Sequence, residues 1–205
     1  MRKLKLQMQI TVDGFVAGPN GELDWMTPSM EMEDEKLFPY INSLIDSSDT
    51  ILMGRKMTEG FVSYWTGEAN NPKSPDYAFA QKMVDTPKIV FTRTLDESRW
   101  ANTVLAKGDI VEEVNQLKNR DGGDLIVYGG AGFVSSLIKH DLIDEYDLFV
   151  NPVAIGEGMT IFGELGRHFK LKQIDATPYD CGITVHKYLP EVATKPLSST
   201  AGSAA

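Results

Sequence analysis

Twice in this chain a short apolar run passes through glycine directly into a helical pattern, and no other feature restricts the fold as much. Thr50–Met53 leads into Gly54-Arg55-Lys56-Met57-Thr58, and Leu125–Tyr128 leads into Gly129-Gly130-Ala131-Gly132 with a helix to about Lys139. A strand that turns at once into a helix is the first half of a crossover between parallel strands. Leu4, Leu6, Met8, Ile10 and Val12 alternate with Lys5, Gln7, Gln9 and Thr11, the period of a strand with one face on a core. Lys88–Phe91, Thr103–Ala106, Glu145–Pro152, Phe169–Ala176 and Ile183–Leu189 read as further strands. Helices are predicted over Glu31–Ser48, Asp76–Val84 and Ile110–Lys118. The pattern predicts an α/β fold whose mixed sheet is mostly parallel, with antiparallel strands at its C-terminal edge.

With 205 residues, 42% of them hydrophobic and 24% charged, one domain over residues 1–190 is expected. The remainder, 191–205, is rich in Ser, Ala and Gly from Lys195 onward and is expected to be a disordered tail. A net charge of −9 argues against nucleic acid or anionic membrane as a general partner, because both reward excess Lys and Arg. Cys181 is the only cysteine, which excludes an intrachain disulfide and a cysteine zinc site. No targeting segment or apolar span of about 18 residues is evident, so the cytoplasm is the expected compartment. His140, His168 and His186 show no ligand spacing, and no metal site is expected.

The chemistry is expected at the two glycine junctions. At the first, the helix start offers unpaired N–H groups and partial positive charge, and Arg55, Lys56 and the Thr58 hydroxyl add donors for a phosphate. At the second, Gly129, Gly130, Ala131 and Gly132 let a pyrophosphate approach the backbone closely. The Gly130-Ala131-Gly132 sequence is not a Rossmann fingerprint: Ser135 stands where a third glycine or alanine belongs, and no acid ends a second strand about 20 residues on. Between the junctions, Val90-Phe91-Thr92-Arg93 ends a third strand with a hydroxyl and a guanidinium, and Arg93 suits the extra phosphate of NADP.

These residues carry a family resemblance. The chain resembles the dihydrofolate-reductase-like superfamily, and within it the C-terminal reductase domain of bifunctional riboflavin-biosynthesis deaminase/reductase proteins. The motifs run from Thr11-Val12-Asp13-Gly14-Phe15-Val16-Ala17 and Leu23-Asp24-Trp25 through the two glycine junctions and Thr92-Arg93 to Pro152-Val153 with Gly156-Glu157-Gly158. The resemblance implies about eight strands flanked by helices and an NADPH-dependent reductase, with NADPH laid across the strand ends. It implies that Gly54, Arg55, Lys56 and Thr58 hold the cofactor phosphates and that Thr92 and Arg93 lie near the adenosine 2′-phosphate. Gly129, Gly130, Ala131 and Gly132 would line the pyrophosphate, with Val16 and Ala17 beside the nicotinamide amide. Related domains commonly pair, which implies a homodimer.

On the substrate side the chain departs from true dihydrofolate reductases, which carry a carboxylate shortly after a tryptophan. Trp25 is followed by Met26-Thr27-Pro28-Ser29-Met30, and Glu31, Glu33, Asp34 and Glu35 come only later. Asp34 lies three residues before Leu37 and four before Phe38, so on a helix it shares their face and is the expected catalytic acid. Glu31, Asp13 and Trp25 are the expected substrate contacts. The expected substrate is a small heterocyclic or ribosylamine-like molecule; a folate reductase with a displaced acid, or a non-catalytic NADPH or flavin sensor, are the alternatives.

Overall fold

The strand β1 (Leu4–Thr11) runs through the middle of one eight-stranded sheet. The computed structural model describes residues 1–26 and 34–191. The other strands are β2 (Ser48–Gly54), β3 (Lys88–Phe91), β4 (Thr103–Ala106), β5 (Asp124–Val127), β6 (Glu145–Asn151), β7 (Leu171–Pro178) and β8 (Thr184–Pro190). They lie in the order β4-β3-β2-β5-β1-β6-β8-β7. From β4 to β6 every pair is parallel, and β8 alone runs against its neighbours β6 and β7. The expected mixed, mostly parallel α/β sheet is therefore present.

Five α-helices cover this sheet among the described residues: α1 (Leu37–Asp46), α2 (Arg55–Ala69), α3 (Tyr77–Asp85), α4 (Ile110–Lys118) and α5 (Ala131–Lys139). None is long and apolar enough to cross a membrane. Leu4, Leu6, Met8 and Ile10 of β1 pack with Val114 and Leu117 of α4 and with Val134, Leu137 and Ile138 of α5. On the opposite face, Ile51, Met53, Ile126 and Phe149 pack with Leu37, Leu44 and Ile45 of α1, Met83 of α3 and the partly buried Phe61 and Trp65 of α2. The sheet thus has a helical layer on each side, as parallel sheets require.

Two expectations need correction. The alternation in β1 does not place polar residues in solvent: Lys5, Gln7 and Thr11 are buried along with the leucines, because β1 is central and covered on both faces. Each polar group needs a partner there. Lys5 Nζ pairs with Asp124 at 2.8 Å and donates to Ser47 Oγ at 2.9 Å. The second correction is the first helix, which begins at Leu37 and not at Glu31; residues 27–33, Glu31 included, lie outside the described residues. Beginning at Leu37 puts Pro39 in the first turn, where its missing N–H breaks no helical hydrogen bond. A start at Glu31 would put the same proline in the interior, at a cost of about 3 kcal/mol. Residues 192–205 of the expected tail also lie outside the description.

Asp147 of β6 lies on the α1 face, fully buried. Burial pushes its carboxyl above the usual range, and the Tyr40 hydroxyl donated to Oδ1 offsets this only in part. A carboxyl with a raised folded pKa holds its proton more tightly when folded. Its contribution to stability is full below the unfolded value and is lost as pH rises through the folded one. Asp147→Asn keeps the shape without the charge. Its melting temperature relative to wild type should therefore rise between pH 4 and pH 8, and a difference that stays constant over that range would refute the assignment.

Candidate active site at the carboxyl ends of the strands

The six parallel strands direct their carboxyl ends to one edge of the sheet. β5 accompanies β1 only as far as the pair Leu6–Val127, whereas β6 follows it to Thr11–Asn151. Past Val127 the chain leaves the sheet through Gly129 and Gly130, so among the described residues that flank of β1 has no strand partner beyond Leu6, which is where an open α/β sheet forms its crevice. The crossovers divide here. Those to β2 and β3 place α1, α2 and α3 on one face, and those to β5 and β6 place α4 and α5 on the other. Such a switch point is where open α/β sheets take ligands.

The two glycine junctions are brought together because β2 and β5 are adjacent. A Cβ at Gly54 would stand 2.7 Å from Phe133 Cβ, and one at Gly129 would stand 3.2 Å from Met57 Sδ, so the two helix starts are packed directly on one another. Gly130 adds a φ of +79°, which L side chains rarely adopt. Neither helix has a side-chain cap: Gly54 and Gly130 occupy the cap positions of α2 and α5. The contrast is α4, where Asp109 accepts from Val111 N at 2.9 Å and Glu112 N at 3.2 Å. Two orphan sets of N–H donors therefore lie side by side.

Charge at α2 is the reverse of what its dipole favours. Arg55 and Lys56 are its first residues, exposed and without a carboxylate partner among the described residues, and no acid stands in the first turn. Each cation at a helix N-terminus costs roughly 0.3–1 kcal/mol, and a bound anion would turn that cost into attraction. Thr58 is different: it is fully buried and its hydroxyl donates to the Gly54 carbonyl at 3.1 Å, so it shapes the helix start and faces away from solvent. One strand further out, Phe91, Thr92, Arg93, Ala106 and Gly108 line a cavity of about 160 Å³. Thr92 Oγ1 accepts from Thr94 N and Leu95 N, both at 3.2 Å, and shapes that loop, leaving the exposed Arg93 as its cation.

Across the crevice the loops are cross-braced. Asp13 Oδ1 accepts from Thr11 Oγ1 at 2.5 Å, and Oδ2 accepts from Ile155 N at 3.1 Å and Gly156 N at 2.8 Å. The hydrogen bond from Thr11, then that from Gly156, holds this carboxyl below its ordinary range. Val16 N donates to Met159 O, and Ala17 O accepts from Met159 N, both at 2.8 Å. The Val16 carbonyl and the Ala17 N–H keep no partner among the described residues, as a ligand amide would require. Trp25 is buried in a short 3-10 turn, Asp24–Met26.

Asp34 stands just before α1, buried, with both oxygens engaged. Oδ1 accepts from Lys36 N and Leu37 N at 2.9 Å, and Oδ2 from Cys181 N at 3.3 Å. Burial pushes this carboxyl up, but the backbone N–H groups outweigh burial and hold it below the ordinary value. The carboxylate thus ties the helix start to the β7–β8 turn. Sequence reasoning missed Asn151 and Gln9. Fully buried Asn151 donates from Nδ2 to Gln9 Oε1 at 2.7 Å and to the Phe149 carbonyl at 2.9 Å. The available signal was an amide in the last row of a buried strand, directly before Pro152.

The Asp13 brace has a direct readout. Asp13→Ala should speed hydrogen exchange at the Ile155 and Gly156 amides at least tenfold, with β1 amides such as Leu6 unchanged. Unaltered exchange at both loop amides would contradict the brace.

Comparison with known proteins agrees with this fold. The family model described as RibD C-terminal domain matches residues 2–185. The uncharacterised protein YyaP of Bacillus subtilis (strain 168) is 32% identical over 184 residues, covering 89% of this chain and 92% of that protein. Among solved structures, the deaminase/5-amino-6-(5-phosphoribosylamino)uracil reductase of Thermotoga maritima superposes with a TM-score of 0.63 at 19% identity, covering 92% of this chain and 56% of that one. Dihydrofolate reductase from Enterococcus faecalis, solved with NADP(H), superposes with a TM-score of 0.57 at 16% identity, covering 93% and 97%. The expected dihydrofolate-reductase-like fold is thus present.

Proposed function

The chain belongs to the RibD C-terminal domain family, and from that premise we propose that it is an oxidoreductase that uses NADPH to reduce a small heterocyclic or ribosylamine-like substrate. One observation carries the proposal: the adjoining uncapped starts of α2 and α5, with Arg55 and Lys56 beside them and Arg93 one strand away. From β3 to β1 is three inter-strand spacings, about 14 Å, and phosphate donors and unpaired backbone groups are spread along that distance.

The residues fit the cofactor in order. Arg93 would take the adenosine 2′-phosphate beside the 160 Å³ cavity. Arg55, Lys56 and the N–H groups after Gly54 and Gly130 would hold the remaining phosphates, with Gly129, Ala131 and Gly132 allowing close approach. The Val16 carbonyl and Ala17 N–H would meet the nicotinamide carboxamide. When bound, NADPH supplies the hydride. The chain's own tasks are then to orient the acceptor carbon, exclude water and hold the loops in place. In this reading Asp34 is a positioning residue, because a carboxylate held ionised by three backbone N–H groups is a poor proton donor near neutral pH. Trp25 would close the crevice from the loop side.

We also propose that two copies pair along β7. Support comes from its outer edge, which pairs with no strand among the described residues, and its five consecutive exposed residues, Lys172–Ala176. Sedimentation at micromolar concentration should give twice the chain mass, and a monomer with or without NADPH would refute pairing.

The cofactor proposal is tested by titration. NADPH should bind more tightly than NADH. A charged hydrogen bond is worth about 1.5–3 kcal/mol, so Arg93→Ala should weaken NADPH binding roughly tenfold to a hundredfold and leave NADH nearly unaffected. Equal dissociation constants for the two cofactors in the wild type would overturn the assignment.

A further inference from the structure

Seven of the eight residues of β1 are buried, and the exception is Gln9. Its place explains the exception. Gln9 lies three residues beyond Leu6, the last residue of β1 paired with β5, so its flank borders the crevice. Its partner across β6 is Phe149, which packs against Leu37, Leu44 and Met53, whereas Met8 and Ile10 belong to the opposite core. The Gln9 side chain therefore emerges on the α1 face, beyond the phosphate donors of β2 and β5.

The direction of its amide follows from Asn151. Asn151 Nδ2 lies 2.9 Å from the Phe149 carbonyl and 3.5 Å from the Ile10 carbonyl. Backbone oxygens only accept, so the amino side of Asn151 must face them. The same nitrogen lies 2.7 Å from the Gln9 amide, which must then present its oxygen. Gln9 Nε2 is left as the outward group, with no partner among the described residues. Two N–H donors are thus fixed at the crevice before any ligand arrives, which lowers the ordering cost of binding.

We propose that Gln9 Nε2 orients the substrate of this site by donating to a neutral ring carbonyl, the oxygen of a lactam, with Asn151 as the positioning residue behind it. This rests on the reductase reading of the crevice. Anions have better partners in Arg55 and Lys56, and a cation finds no acceptor at Nε2, so the donor selects an uncharged oxygen. The carboxamide of the cofactor has the same chemistry, and the experiment separates the two sources.

The test uses the full chain saturated with NADP⁺ and uracil as the lactam probe. In the wild type, uracil should shift the Gln9 side-chain NH₂ resonances and saturate. Gln9→Leu and Gln9→Glu, which both remove the donors, should weaken uracil about threefold to tenfold, the scale of one neutral hydrogen bond. The NADP⁺ dissociation constant should change less than twofold. Uracil affinity unchanged in both variants, or Gln9 resonances indifferent to uracil, would overturn the proposal while leaving cofactor binding intact. Loss of NADP⁺ affinity in place of uracil affinity would assign the donor to the cofactor and overturn it too. A wild type that binds no NADP⁺ would instead remove the reductase reading on which the proposal stands.

Discussion

The pairing of β1 with a parallel strand on each side governs the site. On one side β6 runs with it to its last residue; on the other β5 stops at Val127 and turns away through glycine. The unequal lengths leave the second half of β1 open along one flank without exposing the core, because helices cover both faces of the sheet. The same direction of six strands brings Gly54, Arg93, Gly130, Asp13 and Asn151 to a single edge. They are otherwise far apart in sequence, and no local signal could have gathered them.

Burying all of β1 but Gln9 has a consequence for its polar side chains. Lys5, Gln9 and Thr11 are retained by specific partners, Asp124, Asn151 and Asp13, and each pairing orients a group that would otherwise have several rotamers. The side of the crevice along β1 is therefore polar, while the side at the start of α2 is cationic. Cations at the start of α2 are locally unfavourable, as are uncapped helix ends, and one anionic ligand would relieve both. Local cost concentrated at one edge is the usual mark of a binding site.

Much of this was legible in the sequence. The glycine junctions identified both helix starts, and the order of elements predicted the mixed sheet. The errors share a physical cause. Alternation of Leu4, Leu6, Met8 and Ile10 with Lys5, Gln7, Gln9 and Thr11 predicts one core face, but a central strand is covered on both. Glu31, Glu33, Asp34 and Glu35 looked like a helical first turn, while Pro39 carried the stronger signal that the helix starts later. Hydroxyls and carboxylates were placed by position along the chain, and their directions were not readable: Thr58 turns inward to the Gly54 carbonyl, and Asp13 and Asp34 bind backbone N–H groups. Gln9 was seen only as a polar residue of an alternating strand, because its partner Asn151 lies 142 residues away.

The central claim is that the adjoining starts of α2 and α5 are one phosphate site. Amide resonances followed during NADP⁺ titration test it most directly. The account predicts that Arg55, Lys56, Ala131 and Gly132 shift together with a single dissociation constant, while the capped start of α4 at Val111 and Glu112 stays still. NADP⁺ binding that leaves the α2 and α5 starts unmoved, or moves only one of them, would contradict it.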